Sequence, residues 1–345
     1  MKIAVLFGGC SSEYGVSLQS AYAVMEELKK LEYEVFPIGI TNYGEWYLYT
    51  GDWKRIPEDA WQGTACIPAY ISPSRDTHGI LILPENGSVQ TETVDVVFPV
   101  LHGKNGEDGT VQGLCELAGL PFVGCGTLSS ALCMDKDLAH IIAKAAGIEV
   151  PEYVVLQSYM SKEEQQTVCA DITYPAFVKP ARAGSSYGIT RIEEAGQLEA
   201  AVLEAFRYDT KVVIEAAVSG FEVGCAVLGT ETLTVGEVDE IELHTGVFDF
   251  HEKYTLETSK IHVPARISPE TAGRIKEAAK KLYRALECKG MARVDMFLTE
   301  DERIVFNEVN TIPGFTMHSR YPNMMKAYGY TFADVLEHLI QEAQR

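Results

Sequence analysis

The first forty residues change from a strand-like to a helix-like pattern of apolar positions and back. Residues 2–7 predict a continuous apolar strand, a Gly-rich loop follows, and residues 16–31 carry apolar side chains at helical spacing. The segment EVFPIGI then predicts a second buried strand. Strand, Gly-rich turn, helix and strand in this order predict a βαβ unit on a parallel sheet.

Two changes of pattern divide the following residues. GEWYLY predicts an inserted edge strand, VDVVFPVLHG returns to the buried sheet, and a helix begins near GTVQGLCELAG, so a first domain is predicted over residues 1–128. A helix over residues 129–146, stopped by Gly147, leads into short strands in YPAFVKP, SYGITRI and KVVIEAA. These elements predict a second domain over residues 129–218.

The third region, residues 219–345, combines strands with an amphipathic helix. The segments EVGCAVLG, MARVDMFL and RIVFNEVN have strand patterns, and ETAGRIKEAAKKLYRAL has strong helical periodicity. The predicted fold class is therefore α/β followed by α+β, in three domains.

The two last strands carry acidic side chains where a core strand would be apolar. They flank the polar turn TEDE, so they predict an antiparallel hairpin in which Arg293 and Asp295 share a face with Phe306, Glu308 and Asn310. Three oxygen-bearing side chains beside one arginine, without His or Cys, form a ligand set for Mg²⁺ or Mn²⁺. The alternative is an ionic network of Arg293 with the two acids.

The second region carries a candidate phosphate-binding segment. In FVKPARAGSSYGIT, Lys179 ends a strand and a Gly-Ser segment follows whose N–H groups and hydroxyls can cover phosphate oxygens. It is not a Walker loop, and the strand pattern after it predicts a hairpin flap, with an ordinary turn as the alternative. Glu215 ends an apolar strand, where it would accept from an adenine amino group or a ribose hydroxyl, or simply meet solvent.

Composition narrows the classes of function. The chain of 345 residues has a net charge of −20 and a pI near 4.8, which argues against a nucleic-acid partner because polyanions are bound by clustered Lys and Arg. Eight cysteines without metal or disulfide spacing predict reduced thiols of a cytoplasmic protein. The apolar run of MKIAVLFGG is too short for a signal peptide or a membrane span.

Together these motifs carry a resemblance to a known family. The chain resembles the ATP-grasp ligases of the D-alanine:D-alanine ligase family over essentially its whole length. The supporting motifs are LFGGCSSEYGVSLQSA, FPVLHGKNGEDGTVQGLCELAGLPFVGCG, ALCMDK, VKPARAGSSYGIT, EKYT, ARVDMF and FNEVNTIPGFTMHSRYP.

The resemblance implies a fold and a reaction. The expected fold is ATP-grasp, with a Rossmann-like N-terminal domain, a central nucleotide lid, and a C-terminal metal domain carrying a mobile loop at 249–260. One D-alanine carboxylate attacks the γ-phosphate of ATP, and the amine of a second D-amino acid then attacks the acylphosphate. ATP, two Mg²⁺ or Mn²⁺ ions and a homodimer are implied.

Residue by residue, the resemblance implies roles in nucleotide and metal binding. Lys136 and Lys179 match phosphate contacts, and Asp295, Glu308 and Asn310 match the metal ligands. The other positions that match nucleotide binding are Glu215, Val218, Glu222 and Lys253. Arg293 and the backbone N–H of Gly314 match the groups that stabilise the charge of the transferring phosphate and of the tetrahedral intermediate.

The resemblance also implies the amino-acid sites. Glu13 would hold the first ammonium, with the first turn of a helix as its structural alternative. Glu13, Ser185 and Tyr254 match a hydrogen-bonded triad that closes the loop, and lids of this kind exclude water from an acylphosphate. The remaining substrate-binding positions are His102 near the first substrate, and Ser319, Arg320 and Met317 at the acceptor.

Other functions conflict with particular residues. A dinucleotide dehydrogenase would need GxGxxG where the chain has GGCSSE, and it has no use for the acidic hairpin. A non-catalytic nucleotide sensor could dispense with Arg293 or Tyr254, and both are present. Gly15 and Met317 depart from many relatives. Met317 and the N-terminal stretch favour D-alanyl-D-serine as the product, as in the ligases of vancomycin resistance; D-alanyl-D-alanine is the alternative.

Overall fold

The computed structural model describes residues 1–184, 187–243 and 259–345. The N-terminal part forms a seven-stranded sheet in the order β6-β5-β4-β3-β2-β1-β7, in which only β2, β1 and β7 are parallel. Its elements are β1 (Lys2–Gly8), α1 (Tyr14–Lys30), β2 (Glu34–Ile40), β3 (Trp46–Tyr49), β4 (Cys66–Ile71), β5 (Gly79–Ile82), β6 (Gln90–Thr93), β7 (Val96–Val100) and α2 (Thr110–Ala118).

The expectation of an edge strand in GEWYLY is wrong. Strand β3 lies in the interior of the sheet, because β4, β5 and β6 extend the sheet beyond it. The outermost of these, β6, has the polar sequence QTET, which suits an exposed edge.

Strand β1 is covered on both faces. Its odd-numbered residues Ile3, Val5 and Phe7 pack in one core with α1, while Ala4 and Leu6 pack in another with α2. Burial on both faces is why residues 2–7 show no polar alternation.

The second sheet is antiparallel, in the order β10-β9-β11-β8. Its region contains α3 (Thr127–Met134), α4 (Lys136–Ala145), β8 (Tyr153–Gln157), α5 (Lys162–Val168), β9 (Ala176–Pro180), β10 (Thr190–Ile192), α6 (Leu198–Ala205) and β11 (Lys211–Ala216). Strands β9 and β10 form the expected hairpin, and we call the connection at 181–189 the flap.

The single helix expected over 129–146 is two helices. Asp135 is extended, with φ −88° and ψ 102°, and its side chain accepts a hydrogen bond from the backbone N–H of Leu138. An aspartate in this position caps a new helix. The apolar periodicity continues across the break and therefore hides it.

The third sheet follows the order β15-β14-β12-β16-β17, with β13 beside β12. Its elements are β12 (Gly220–Leu228), β13 (Thr234–Val235), β14 (Asp239–Leu243), β15 (Ser259–His262), α7 (Pro269–Ala285), β16 (Met291–Thr299), β17 (Ile304–Asn310), α8 (Arg320–Tyr328) and α9 (Phe332–Ala343). Of the loop expected at 249–260, residues 249–258 lie outside the described residues, and 259–260 belong to β15. The domain limits at 128 and 218 stay predictions.

The hairpin β16–β17 has the expected register at its acidic end only. Asp295 lies opposite Glu308, but the register then shifts, so that Met296 pairs with Phe306. Phe306 packs with Met296 in the core under α7. The expectation that Phe306 shares a face with Glu308 is therefore wrong, because a bulge adds Asn307 to one strand.

Candidate functional site

A cavity of about 570 Å³ lies where the three sheet regions meet. The loop after β1, the loop after β7, the flap, the start of α4, strand β17 and the segment before α8 all line it. Its charged and polar lining residues include Glu13, His102, Glu107, Lys136, Arg293, Glu308, Asn310, Ser319 and Arg320. The structure thus brings together candidates that are up to about three hundred positions apart.

The acidic face of the hairpin forms one wall of this cavity. Asp295 is 1% exposed and accepts hydrogen bonds from Nη2 of Arg293 at 2.7 Å and from the Asn310 amide at 2.9 Å. Burial opposes the charge on Arg293, but Asp295 outweighs it and raises the pKa of the guanidinium. The charge on Arg293 therefore persists inside the cavity.

The contacts on this face are compatible with both a metal site and an ionic network. Arg293 and Asp295 form an ion pair, while Glu308 and Asn310 line the cavity beside them. Within the described residues, no three His, Cys, Asp or Glu side chains are grouped to hold a metal. Two carboxylates and one amide fit a hard cation that takes its other ligands from water and phosphate.

Arg320 lines the cavity and is held there by acids. Its Nε and Nη2 donate to the two oxygens of Asp239 at 2.7 and 2.8 Å, and its Nη1 donates to Glu222 at 2.7 Å. Burial opposes the charge, but Asp239 and Asp295 raise the pKa of Arg320 well above its ordinary value. Arg320 and Glu222 therefore bind each other in this structure, and the expected roles of Arg320 with the acceptor and of Glu222 with the nucleotide stay predictions.

The segment before α8 offers polar groups from a tight turn. The backbone N–H of Ser319 donates to the carbonyl of Thr316, and the Ser319 hydroxyl accepts from the backbone N–H of Thr316 at 3.1 Å. Ser319 and Gly314 line the cavity as expected. Met317 does not, because it occupies the tip of this turn and is 65% exposed. The expectation that Met317 shapes the acceptor pocket stays a prediction.

The loop after β7 contributes a buried carboxyl, that of Glu107, which is not among the site residues expected from the sequence. Glu107 accepts from the backbone N–H of Gly103 and of Ile312, each at 2.9 Å. Burial, and then the charge of Glu13, raise the pKa of Glu107 to about 8. Its signal was the GEDG that follows LHG in the chain.

His102 is fully enclosed beside it. Its Nδ1 lies 2.9 Å from the carbonyl of Ile312, so Nδ1 carries the proton, and its Nε2 lies 3.3 Å from the hydroxyl of Ser20. Burial lowers the pKa of His102. A neutral His102 thus joins the N-terminal loop to the segment that carries Gly314.

The flap reaches the cavity from the opposite side. Lys136 donates from Nζ to the carbonyl of Ala183 at 2.9 Å. Ala183 and Gly184 line the cavity, and Gly184 lies against the carboxylate of Glu13, where a Cβ would overlap Oε2. The flap therefore rests on the residue expected to hold the first ammonium.

Lys179 and Glu215 lie deeper than expected. Nζ of Lys179 is 2.6 Å from Oε2 of Glu215, whose side chain is 3% exposed and 3.9 Å from Nδ1 of His140. Burial would raise the pKa of Glu215, but Lys179 and His140 lower it. The alternative of a solvated strand end for Glu215 is wrong, and its carboxylate binds Lys179 here. Val218 is half-buried in the connection between β11 and β12.

Two family models match the chain, and together they cover most of it. The description "D-ala D-ala ligase N-terminus" matches residues 2–125, and "D-ala D-ala ligase C-terminus" matches residues 142–341. The chain belongs to the D-alanine:D-alanine ligase family.

Individual members of the family resemble the chain over nearly its full length. The vancomycin/teicoplanin A-type resistance protein VanA of Enterococcus faecium is 48% identical, over 99% of this chain and 97% of that protein. A D-alanine–D-alanine ligase of Caldicellulosiruptor bescii is 43% identical, over 99% and 95%. The crystal structure of VanG D-Ala:D-Ser ligase from Enterococcus faecalis superposes with a TM-score of 0.91 and 54% identity, over 99% of each chain.

As a D-alanine:D-alanine ligase family member, the protein is an ATP-dependent ligase that forms peptide-type bonds and has the ATP-grasp fold. The family implies ATP and a divalent metal. Three expected site residues, Ser185, Lys253 and Tyr254, lie outside the described residues. None of the helices in the described ranges combines the length and the apolar character that crossing a membrane requires.

Proposed function

We propose that this ligase joins D-alanine to D-serine and so makes a peptidoglycan precursor of vancomycin resistance. The observation that carries the proposal is the 54% identity, over 99% of each chain, with a D-Ala:D-Ser ligase. Tyr254 in EKYT supports an amine as the acceptor nucleophile, because that tyrosine accompanies amino-acid acceptors in the family the chain resembles.

The first D-alanine is assigned to the wall formed by Glu13, His102 and Glu107. The carboxylate of Glu13 attracts the ammonium group, and the flap at Gly184 rests on that carboxylate. The neutral ring of His102 adds no charge that would repel the ammonium. These contacts leave the substrate carboxylate directed at the cavity centre, where phosphoryl transfer is assigned.

Phosphoryl transfer is assigned to the cations on either side of the cavity. Lys136 and Arg293 offset the negative charge of the γ-phosphate as the D-alanine carboxylate attacks it. Asp295, Glu308 and Asn310 would hold Mg²⁺ or Mn²⁺, which when bound supplies further positive charge at the phosphate oxygens. The N–H of Gly314 then donates to the oxyanion formed when the acceptor amine attacks D-alanyl phosphate.

The acceptor is assigned to the turn that precedes α8. The hydroxyl of Ser319 and the first N–H groups of α8, which lack intrahelical partners, suit a carboxylate. D-alanine and D-serine differ by one hydroxyl, which an apolar pocket distinguishes by only about 10²-fold. The preference for D-serine therefore requires a polar partner for that hydroxyl or a pocket reshaped to leave room for it.

A competition assay tests the product. The enzyme is given ATP, Mg²⁺, D-alanine and an equal concentration of D-serine, and the dipeptides are separated by chromatography. D-alanyl-D-serine should dominate near neutral pH, whereas a dominant D-alanyl-D-alanine peak would reject the assignment. D-lactate replaces D-serine in a parallel reaction, and formation of a depsipeptide would contradict the role given to Tyr254.

Two further features are proposed from the family. A homodimer is expected, and sedimentation velocity would measure the mass in solution against the 38.0 kDa of one chain. The cytoplasm is the expected compartment, since it holds the ATP that the reaction consumes.

A further inference from the structure

Two aspartates flank Lys136 in the chain, and one buried lysine binds both of them. Nζ of Lys211 lies 2.9 and 3.1 Å from the carboxylate oxygens of Asp135 and 2.7 Å from Oδ2 of Asp137. Lys211 and Asp135 are buried, and Asp137 is nearly so. An ionic cluster of two acids and one lysine therefore adjoins a residue assigned to ATP.

The same cluster is connected to the flap through the backbone. The N–H of Ala181 donates to the carbonyl of Lys211 at 2.9 Å, and the N–H of Lys136 donates to the carbonyl of Ala181 at 3.1 Å. Nζ of Lys136 then reaches the carbonyl of Ala183. Lys211 and Lys136 thus fix the beginning of the flap from two neighbouring elements, β11 and α4.

The positive charge of Lys211 also affects the electrostatic environment of Lys136. Carboxylates one residue away on either side attract an ammonium group and repel a triphosphate. Burial alone would lower the pKa of Lys211, but its hydrogen bonds with Asp137 and Asp135 raise it, so the side chain stays cationic. The nearby Arg182 forms a bidentate pair with Asp209 instead.

We propose that Lys211 is a positioning residue for ATP binding, which neutralises Asp135 and Asp137 so that the ammonium of Lys136 stays directed at the flap and the cavity. The inference rests on the proposed role of Lys136 with the phosphates. Lys211 acts through Lys136, because the described lining of the cavity includes Lys136 but not Lys211.

Steady-state kinetics on charge variants test the proposal. Lys211→Met should raise the KM for ATP about 10-fold, while the KM for D-alanine changes less than about 2-fold, because only the phosphate contact is disturbed. Lys211→Arg should restore most of the ATP affinity. Lys162→Met is the matched control, since Lys162 pairs with Glu199 at the surface of the same region.

A triple variant separates positioning from mere support of the fold. Asp135→Asn and Asp137→Asn, added to Lys211→Met, remove the acids that would capture Lys136, and asparagine still caps α4. The KM for ATP should return to within about 3-fold of the wild type. A purely structural role predicts a fall in kcat and melting temperature with no selective change in that KM.

Three outcomes overturn the proposal. They are an unchanged KM for ATP in a folded Lys211→Met, an ATP defect that persists in the triple variant, and an unchanged KM for ATP in Lys136→Met. An unchanged KM for ATP in Lys136→Met would also reject the role given to Lys136. A raised KM for ATP in Lys136→Met but not in Lys211→Met would reject only the role given to Lys211. If Lys211→Met does not fold, Lys211→Gln is measured in its place, and an unchanged KM for ATP in that variant overturns the proposal. ATP turnover is followed by phosphate release with D-alanine, so the identity of the dipeptide does not affect the result.

Discussion

Buried acids in this ligase are stabilised in two ways. Glu215, Asp239 and Asp295 each accept from a lysine or arginine side chain, whereas Glu107 accepts from two backbone N–H groups. The difference is visible in the pKa values: Lys179 outweighs burial and lowers that of Glu215, while burial raises that of Glu107 to about 8. The raised pKa of Glu107 therefore lies near neutrality.

Glu107 should make stability depend on pH. Between about pH 5 and pH 8 this carboxyl is ionised in the unfolded chain but keeps its proton in the folded protein. The unfolded state then binds fewer protons, so the contribution of Glu107 to stability falls as pH rises through that window. Glu107→Gln should remove this fall, and its free energy of unfolding relative to the wild type should improve by about 3–4 kcal/mol from pH 5 to pH 8.

Urea denaturation at several pH values measures this slope. The absolute stability of Glu107→Gln is not the test, because its amide places an N–H group against another N–H donor. Glu85→Gln, at an exposed loop position, is the control and should leave the slope unchanged. A parallel pH dependence of the Glu107→Gln and wild-type proteins would show that the carboxyl is already ionised in the folded state.

Glu308 should be needed for metal-dependent turnover rather than for folding. Glu308→Gln removes one charge facing the metal and should lower kcat by about 10²-fold or more, with a change of less than about 1 kcal/mol in unfolding free energy. Activity titrated with Mg²⁺ and Mn²⁺, with and without a chelator, measures the effect. Glu300→Gln, at the exposed turn of the same hairpin, is the control. Turnover that persists in chelator, or early melting of Glu308→Gln, would favour the ionic-network alternative.

For individual residues, sequence periodicity predicts contacts correctly when the contacting residues lie close together in the chain. Asp295, Glu308 and Asn310 were brought together by strand alternation and one short turn, and the structure has that arrangement. The partners of Glu107 and Arg320 come from segments 205 and 81 positions away, respectively, so no local pattern announces them. Met317 is adjacent to the acceptor residues in sequence yet is exposed in its turn, because adjacency in sequence does not fix the direction of a side chain.

At the scale of elements, an ionic clamp joins the start of α8 to two strands. Arg320 binds Asp239 of β14 and Glu222 of β12, and Asp239 is fully buried. Asp239→Asn should destabilise the protein by about 2–4 kcal/mol, because it removes a charge from a buried pair that burial has already desolvated. Asp301→Asn, which disrupts the exposed pair with Arg303, should lower the melting temperature much less, because solvent screens that pair. Equal melting temperatures for the two variants would contradict this account.

The flap should be intolerant of a side chain where it meets Glu13. A Cβ on Gly184 would overlap the carboxylate of Glu13, whereas a Cβ on Gly196 in the same region would meet its nearest atom at 3.9 Å. Gly184→Ala should lower kcat/KM for D-alanine by about 10-fold, with little change in melting temperature, because the flap must lift from the cavity. Gly196→Ala is the matched control. A Gly184→Ala enzyme with wild-type kinetics would mean that the flap does not act in this position.

Most elements were predicted from periodicity, and the exceptions share a cause. The break at Asp135, the interior position of β3 and the bulge at Asn307 each leave the apolar pattern almost unchanged. The capping residue Asp135 interrupts the helix at one position only. Strands β4 to β6 extend the sheet beyond β3 without changing the sequence pattern of β3, and the bulge shifts the pairing of β16 with β17 by one residue. Such features are decided by hydrogen bonding between segments, which periodicity does not encode.

For the whole molecule, the cavity brings three cations together with three acids, although acids outnumber cations in the chain. The chain carries a net charge of −20, yet Lys136, Arg293 and Arg320 all line one space. Composition predicts the absence of a polyanion partner from the overall charge, but it does not show which charged side chains the fold brings to one cavity. The sequence motifs identified most of the lining because each lies on a strand end or a Gly-rich loop, but the three sheets decide which of them meet.

The hydrogen bonds between the N-terminal loops and the segment before α8 affect the order in which parts of the protein can fold during synthesis. Ser20 accepts from the backbone N–H of Phe315, 295 positions later, and Glu107 from Ile312, 205 positions later. During synthesis the N-terminal sheet can form long before those residues leave the ribosome, since domains tend to fold as they emerge. The part of the cavity that these bonds hold together, and the core that α1 shares with the last two helices, are therefore completed only when the last tenth of the chain has been synthesised.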